Sequence, residues 1–140
     1  MTWVVPYDQC MVYLLAKAYQ RAHAIAKKRL AAYGLTPVQQ LVLAALDEED
    51  GISSGDLGKK VSMDPATLSS LLERLSEASW IVKEPDQDDK RFLRIYMTEQ
   101  ARNLMEKIIE ERHKTNEEVL QNLSLEERVL LKRLLKDIRE

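Results

Sequence analysis

The sequence holds a single cysteine among its 140 residues. One thiol closes no disulfide within the chain, so a reducing, cytoplasmic setting is the expectation. Glycine and proline are scarce, four of each, which leaves little material for flexible linkers or low-complexity tracts. No apolar run reaches the roughly 18 residues that a membrane span requires. The opening MTWVVPYDQC lacks the basic, apolar and small-residue order of a signal peptide. Net positive charge is missing too: the formal charge is −2, so composition alone provides no electrostatic footprint for nucleic acid. Also absent are a glycine-rich phosphate loop, a nucleophile elbow and a paired-carboxylate motif. His23 and His113 stand alone, outside any metal-ligand spacing. No enzyme, cofactor or metal site is expected.

What is present suits one globular domain over residues 1–140. Hydrophobic residues make up 45% and charged residues 31%, enough for a core and a solvated surface. Charge is unevenly placed. Residues 1–46 carry Lys17, Arg21, Lys27, Lys28 and Arg29 against Asp8 alone, and Asp47 to Asp50 are four acids in a row. That run reads as a solvated loop; it lacks the alternating ligands of a calcium loop.

The chain is organised around Met63–Ser79. Asp64 suits a helix cap and Pro65 the first helical position. Leu68, Leu71, Leu72 and Leu75 recur at helical spacing and define an apolar stripe. The opposite side shows Ala66, Ser69, Ser70, Glu73 and Glu77, with Thr67 and Arg74 on its flank. Small and hydroxyl-bearing residues allow close approach to another surface, and serine, threonine and arginine suit base edges and phosphates. Glu73 is the exception, since it repels phosphate unless it accepts from a cytosine amino group. Upstream, SSGDLGKKV reads as a short helix capped by Ser53, and a brief turn at Ser62–Asp64 gives helix-turn-helix spacing. Downstream, Trp80–Glu84 and Phe92–Met97 are β-prone runs flanking the charged turn PDQDDKR, a hairpin wing.

The order LTPVQQLVLAAL, SSGDLGKKVSMDPATLSSLLERL, IVKE…DDKR…MTEQA resembles the multiple-antibiotic-resistance regulator (MarR) family over nearly the whole chain. The most specific part is Asp89-Lys90-Arg91 followed by Met97-Thr98-Glu99. Four features depart from the family pattern. Ser79 and Ala101 replace glycines, Lys90 replaces an arginine, and the loop between Pro85 and Asp89 is slightly long. The resemblance implies a mainly α fold with a small β-hairpin wing (α+β): a winged helix-turn-helix at residues 36–98, with dimerisation helices at 1–33 and 99–140. It further implies a ligand-responsive repressor that binds a pseudo-palindromic DNA site as a homodimer. The expected DNA-binding residues are Ser53, Ala66, Thr67, Ser69, Ser70, Arg74, Lys90, Arg91 and Arg94, with Asp89 steering Arg91 by pairing. Tyr13, His23, Tyr33 and Trp80 are candidates for a small-molecule effector pocket; ordinary core and boundary packing is the alternative.

The flanking helices carry their own signals. Asp8 to Tyr33 reads as a long first helix stopped by Gly34. Thr36-Pro37-Val38-Gln39 is a capping box that opens the second. Thr98 caps a helix over Glu99–Asn122 whose middle, Glu110–Glu118, is almost wholly polar and suggests a solvent-bridging arm. Ser124-Leu125-Glu126-Glu127 opens a last helix with a wide stripe from Val129 to Ile138 that calls for a partner. Two rival readings accompany the repressor: a redox switch at Cys10, near a helix start that would lower a thiol pKa, and a winged-helix protein-interaction module without DNA binding, favoured by the acidic balance.

Overall fold

The structure, a computed structural model, describes residues 3–139; residues 1, 2 and 140, the outermost ends of the expected ranges, lie outside it. Six helices and three short strands follow in the order α1 (Met11–Leu30), α2 (Pro37–Glu48), β1 (Ile52–Ser53), α3 (Ser54–Val61), α4 (Pro65–Glu77), β2 (Ile81–Pro85), β3 (Leu93–Met97), α5 (Glu99–Val119) and α6 (Leu125–Ile138). The mainly α fold with a β-hairpin wing is the observed one. The chain forms two compact units, one from Leu30 to Glu110 and the other from the stretches up to Arg29 and from Glu111 onward.

The central unit holds the core. Leu43, Leu46, Leu57, Leu75, Ile81, Ile95 and Ile108 are fully buried, one or more from each of α2, α3, α4, β2, β3 and α5. Local chemistry starts its helices where the side chains demand. Thr36 Oγ1 accepts from the Gln39 amide (3.1 Å) while Gln39 Oε1 accepts from the Thr36 amide (3.0 Å), closing the capping box before Pro37. Ser53 Oγ accepts from the Asp56 amide to open α3 (3.2 Å). Between α3 and α4, Ser62 adopts a left-handed conformation (φ 57°) and turns the chain. Gly58 lets the two helices meet: a Cβ there would lie 3.2 Å from the Met63 carbonyl oxygen.

The sheet has the order β1-β3-β2, all antiparallel. The wing hairpin pairs Ile81 with Met97 through to Pro85 with Leu93. Strand β1 adds Ile52 opposite Ile95 and Ser53 opposite Arg94. Gly51 leads into it with φ 81°, and any Cβ there would collide with the Tyr96 ring at 2.8 Å. Ser79, where the family pattern has glycine, takes φ 64° just before the wing, and Ala101, at the other glycine position, is fully buried.

Several expectations change. Helix α1 starts at Met11 rather than Asp8: residues Tyr7–Gln9 form a 3-10 turn, and Cys10 is extended (ψ 134°), which breaks the helix between them. Ala31–Tyr33 also form a 3-10 turn rather than the last turn of α1. The acid run is not merely a solvated loop. Asp47 and Glu48 are helical, and Asp50 Oδ1 accepts from the Met97 amide (2.8 Å) while Oδ2 pairs with Arg102. Helix α5 ends at Val119 instead of Asn122, its last carbonyls Glu118 O and Val119 O accepting from the Arg21 guanidinium (3.1 and 2.8 Å).

In the chain-end unit, the polar middle of α5 is tied down rather than bridging through solvent. Arg29 of α1 pairs with Glu111 and Glu118 (3.7 and 3.5 Å), and Arg128 of α6 pairs with Glu117 (2.9 Å). The Arg128 guanidinium also donates to the carbonyls of Leu120 and Leu123 beyond the helix end. The Ser124 capping box forms as expected. Yet no described residue of this unit is buried. Met11, Leu14, Leu15 and Tyr19 on α1, and Val129, Leu130, Leu134, Leu135 and Ile138 on α6, stay open to solvent.

Candidate nucleic-acid interface

Helix α4 is built to turn one face outward. Its start is fixed by Asp64, whose Oδ2 accepts from the Thr67 amide (3.2 Å) and whose Oδ1 accepts from the Thr67 hydroxyl (2.5 Å). These bonds hold the Asp64 carboxyl below the usual range, with the Thr67 hydroxyl the largest cause and the Thr67 amide next. Leu68, Leu72 and Leu75 pack inward. Ala66, Ser69, Ser70, Glu73, Arg74 and Glu77 form an exposed surface along the opposite side. The start of α2, Thr36, Val38 and Gln39, joins Ala66, Thr67, Ser70 and Arg74 around a neighbouring shallow groove.

The structure brings Ala66, Ser69, Ser70 and Arg74 onto one face. Thr67 is exposed, but its hydroxyl proton is committed to Asp64. Ser53 sits apart, half-buried, as the cap of α3.

The wing tip is organised by two aspartates. Asp86 Oδ2 accepts from the amides of Asp88 and Asp89 (3.1 and 3.0 Å), and its Oδ1 accepts from Arg94 Nε (2.5 Å). Arg94 Nη1 donates onward to the Gly51 carbonyl (2.9 Å), so this guanidinium ties the hairpin to β1. Asp89 holds Arg91 as expected: Oδ1 accepts from the Arg91 amide and Nε (3.1 and 3.0 Å), and Oδ2 from Nη2 (2.8 Å). The Arg94 guanidinium keeps the Asp86 carboxyl below its ordinary range, and the Arg91 guanidinium does the same for Asp89; both arginines are held protonated still more firmly in return. The Arg91 side chain remains 86% exposed, and Lys90 beside it is exposed. The tip thus projects cations from a rigid turn.

One contact was invisible to sequence reasoning. Lys83 of β2 donates from Nζ to Glu73 Oε2 at 2.7 Å, pairing the single acid at the centre of the α4 face with a wing-strand cation. Ten residues separate the two in sequence, and only the return of the hairpin alongside α4 joins them.

The expected effector residues are scattered. Trp80 is buried in the core cluster and Tyr33 is packed against it. In the chain-end unit, the ring partner of Tyr13 is Tyr7 (5.2 Å between centroids) and that of His23 is Tyr19 (5.6 Å), neither a member of the expected set. A separate apolar cleft of about 710 Å³ lies among α3, α4 and the wing strands, walled by Gly55, Gly58, Met63, Leu68, Leu72 and Leu93. Cys10 is exposed, with Sγ 3.7 Å from the Pro6 carbonyl oxygen. Among the described residues no group of three or more His, Cys, Asp or Glu is arranged to hold a metal, and no helix is long and apolar enough to cross a membrane.

Comparison with known proteins supplies the context. A family profile described as MarR family matches residues 33–91. The HTH-type transcriptional repressor NicR of Pseudomonas putida is 32% identical over 133 residues, which cover 94% of this chain and 84% of that protein. The HTH-type transcriptional regulator TtmR of Methylorubrum extorquens is 36% identical over 97 residues, 69% of this chain but only 48% of that relative's length. Among solved structures, Bordetella bronchiseptica BpsR, whose DNA binding is regulated by 6-hydroxynicotinic acid, superposes with a TM-score of 0.92 at 27% identity over 99% of each chain.

Proposed function

Since the chain belongs to the MarR family of transcriptional regulators, we propose that it represses transcription by binding a pseudo-palindromic duplex as a homodimer, and that a small organic acid releases it. The outward face of α4 carries this reading. Ala66, Ser69 and Ser70 are short enough to let the helix enter a major groove, and their leucine-bearing opposite side anchors the helix to a fully packed core. Lys90 and Arg91 are the wing cations proposed to reach phosphates or the minor groove. Arg74 flanks the face as a phosphate contact, and Ser53 keeps a hydroxyl proton free for another. Arg94, engaged with Asp86 and Gly51, acts as the anchor that keeps the tip rigid.

The homodimer is supported by the chain-end unit. Its α1 and α6 leave apolar side chains open along the same elements that the family resemblance assigns to pairing. A two-fold axis would set two copies of α4 about one helical turn apart, roughly 34–36 Å, on a symmetric site. The ligand class is taken from BpsR, and 6-hydroxynicotinic acid is the probe to use first.

The test is fluorescence anisotropy with a selected and a scrambled duplex across a salt series. Arg91→Ala is expected to weaken both duplexes alike and to lower the salt slope by about one, as loss of a phosphate contact does. Ser70→Ala is expected to alter base preference at one position, by roughly 1–3 kcal/mol, and leave the slope unchanged. If Arg91→Ala binds both duplexes as the parent does, the wing makes no DNA contact and the interaction-module reading takes precedence.

A further inference from the structure

Glu73 sits where a carboxylate should hinder DNA binding. It lies one helical turn beyond Ser69 and Ser70 and two beyond Ala66, on the same exposed ridge. Its side chain is 60% exposed, so burial does not explain its presence. Lys83 does not simply occupy it either. Nζ takes Oε2 at 2.7 Å, and Oε1 has no partner among the described residues. The Lys83 side chain is itself only 27% exposed, and its strand is held by five register pairs to β3. The pair therefore fixes the carboxylate's direction, cancels its net charge and leaves one oxygen able to accept.

We infer that Glu73 reads a base in each half-site, accepting at Oε1 from the exocyclic amino group of a cytosine, and that Lys83 is the positioning residue that makes this acid compatible with the surrounding phosphates. The choice of cytosine follows from acceptor chemistry. An ionised carboxylate only accepts, and in the major groove only cytosine and adenine offer an amino donor. Adenine sets its N7 acceptor beside that donor, where it would face the carboxylate's lone pairs. Cytosine has no neighbouring acceptor of its own. Guanine and thymine present acceptors there and are rejected. The inference rests on α4 entering the major groove and adds to it the base that its central acid selects.

The experiment is selection from a duplex library randomised at 20 positions, using the full chain and the variants Glu73→Gln, Lys83→Met and their double. The parent should enrich cytosine at one position of each half-site, with roughly 5- to 150-fold preference over the other bases. Glu73→Gln should move that position, and no other, from cytosine to adenine, because an amide both donates and accepts and so matches the adenine N6 and N7 pair. Lys83→Met should weaken every duplex about tenfold without changing the selected bases, and Glu73→Gln in the double variant should restore the lost affinity. A lysine needed only for packing would give no such rescue. If Glu73→Gln selects the same bases as the parent, Glu73 reads nothing and the inference falls while α4 binding stands. If the parent enriches no duplex at all, the DNA-binding reading falls and takes the inference with it.

Discussion

The two units of this chain are built on opposite terms. Leu30–Glu110 contains every buried residue among those described, while the chain-end unit contains none and is held by arginine clamps on helix ends and carboxylates. The first is a finished core; the second, taken as one chain, is a scaffold of helices whose apolar sides remain open. Exposed ion pairs contribute little to stability, commonly no more than about 1 kcal/mol each, so they orient α1, α5 and α6 rather than secure them. The contrast teaches where the missing stabilisation has to come from. The winged unit carries its own; the chain ends draw theirs from association, and one protein thus combines a stable reader with a concentration-dependent mount.

The strongest way to break this contrast is to remove residues 124–140. If α6 is half of a dimer interface, sedimentation should show monomers or aggregates. Affinity for a two-half-site duplex should fall by about 100-fold or more as bivalent binding is lost. A soluble, unaltered dimer would place the interface elsewhere.

A pair of leucines sharpens it at smaller scale. Leu75→Ala, at a fully buried position, should cost about 2–5 kcal/mol of unfolding free energy, with a denaturation midpoint indifferent to protein concentration. Leu134→Ala, at a position 44% exposed in one chain, should instead weaken dimerisation, with a loss that grows on dilution. Equal concentration dependence in both variants would erase the distinction between the units.

Ser79→Gly probes the winged unit from the stabilising side. The residue holds φ 64°, which strains any side chain. Glycine should raise stability by about 0.5–1 kcal/mol, because the relief outweighs the added freedom of the unfolded chain. Thermal melting checks it, and no change or a loss would mean the strain is already absorbed.

The smallest expected effect comes with acid. Asp64, Asp86 and Asp89 in the winged unit, and Glu127 among the chain ends, all have depressed carboxyl pKa values in the folded protein. A depressed folded value contributes stability above the unfolded pKa, about 4, and that contribution is lost as pH falls through the folded value. The thermal midpoint should therefore hold from pH 7 to about 5 and decline below about 4, and Asp86→Asn should make that decline shallower. A midpoint that falls already between pH 7 and 5 would point to other groups.

These contrasts were legible in the sequence in unequal measure. Helix starts were readable because a cap is a local event: Thr36, Ser53, Asp64 and Ser124 each bond to an amide three residues on. The leucine stripe of α4 and the face opposite it were readable for the same reason, since periodicity is local. Features that depend on distant partners were not. Strand β1 is two residues long and exists only through pairing with Ile95 and Arg94. Asp50 looked like one acid in a charged run, yet it accepts an amide 47 residues away. The Cys10 region looked helical because its composition allows it, and a 3-10 turn after Pro6 took it instead. In the candidate site, the residue types were visible but not their commitments. Arg94 and Arg91 read alike in the sequence, and the structure makes one a tie to β1 and the other a projecting cation.

The division of α4 into a leucine side and an open side also bears on how such a protein can change over generations. Substitutions at Ala66, Ser69 or Ser70 touch no buried neighbour, and exposed changes of that kind usually alter stability by no more than about 0.5 kcal/mol. Descendants can therefore sample new target sequences at these positions without first becoming unstable. The wing is less free, because Asp86, Asp89, Arg91 and Arg94 bond to one another and to the backbone, so a change at one strands its partner. Duplicated copies of such a gene would be expected to diverge first along the open side of α4, and to keep the turn at the hairpin tip while their targets drift apart.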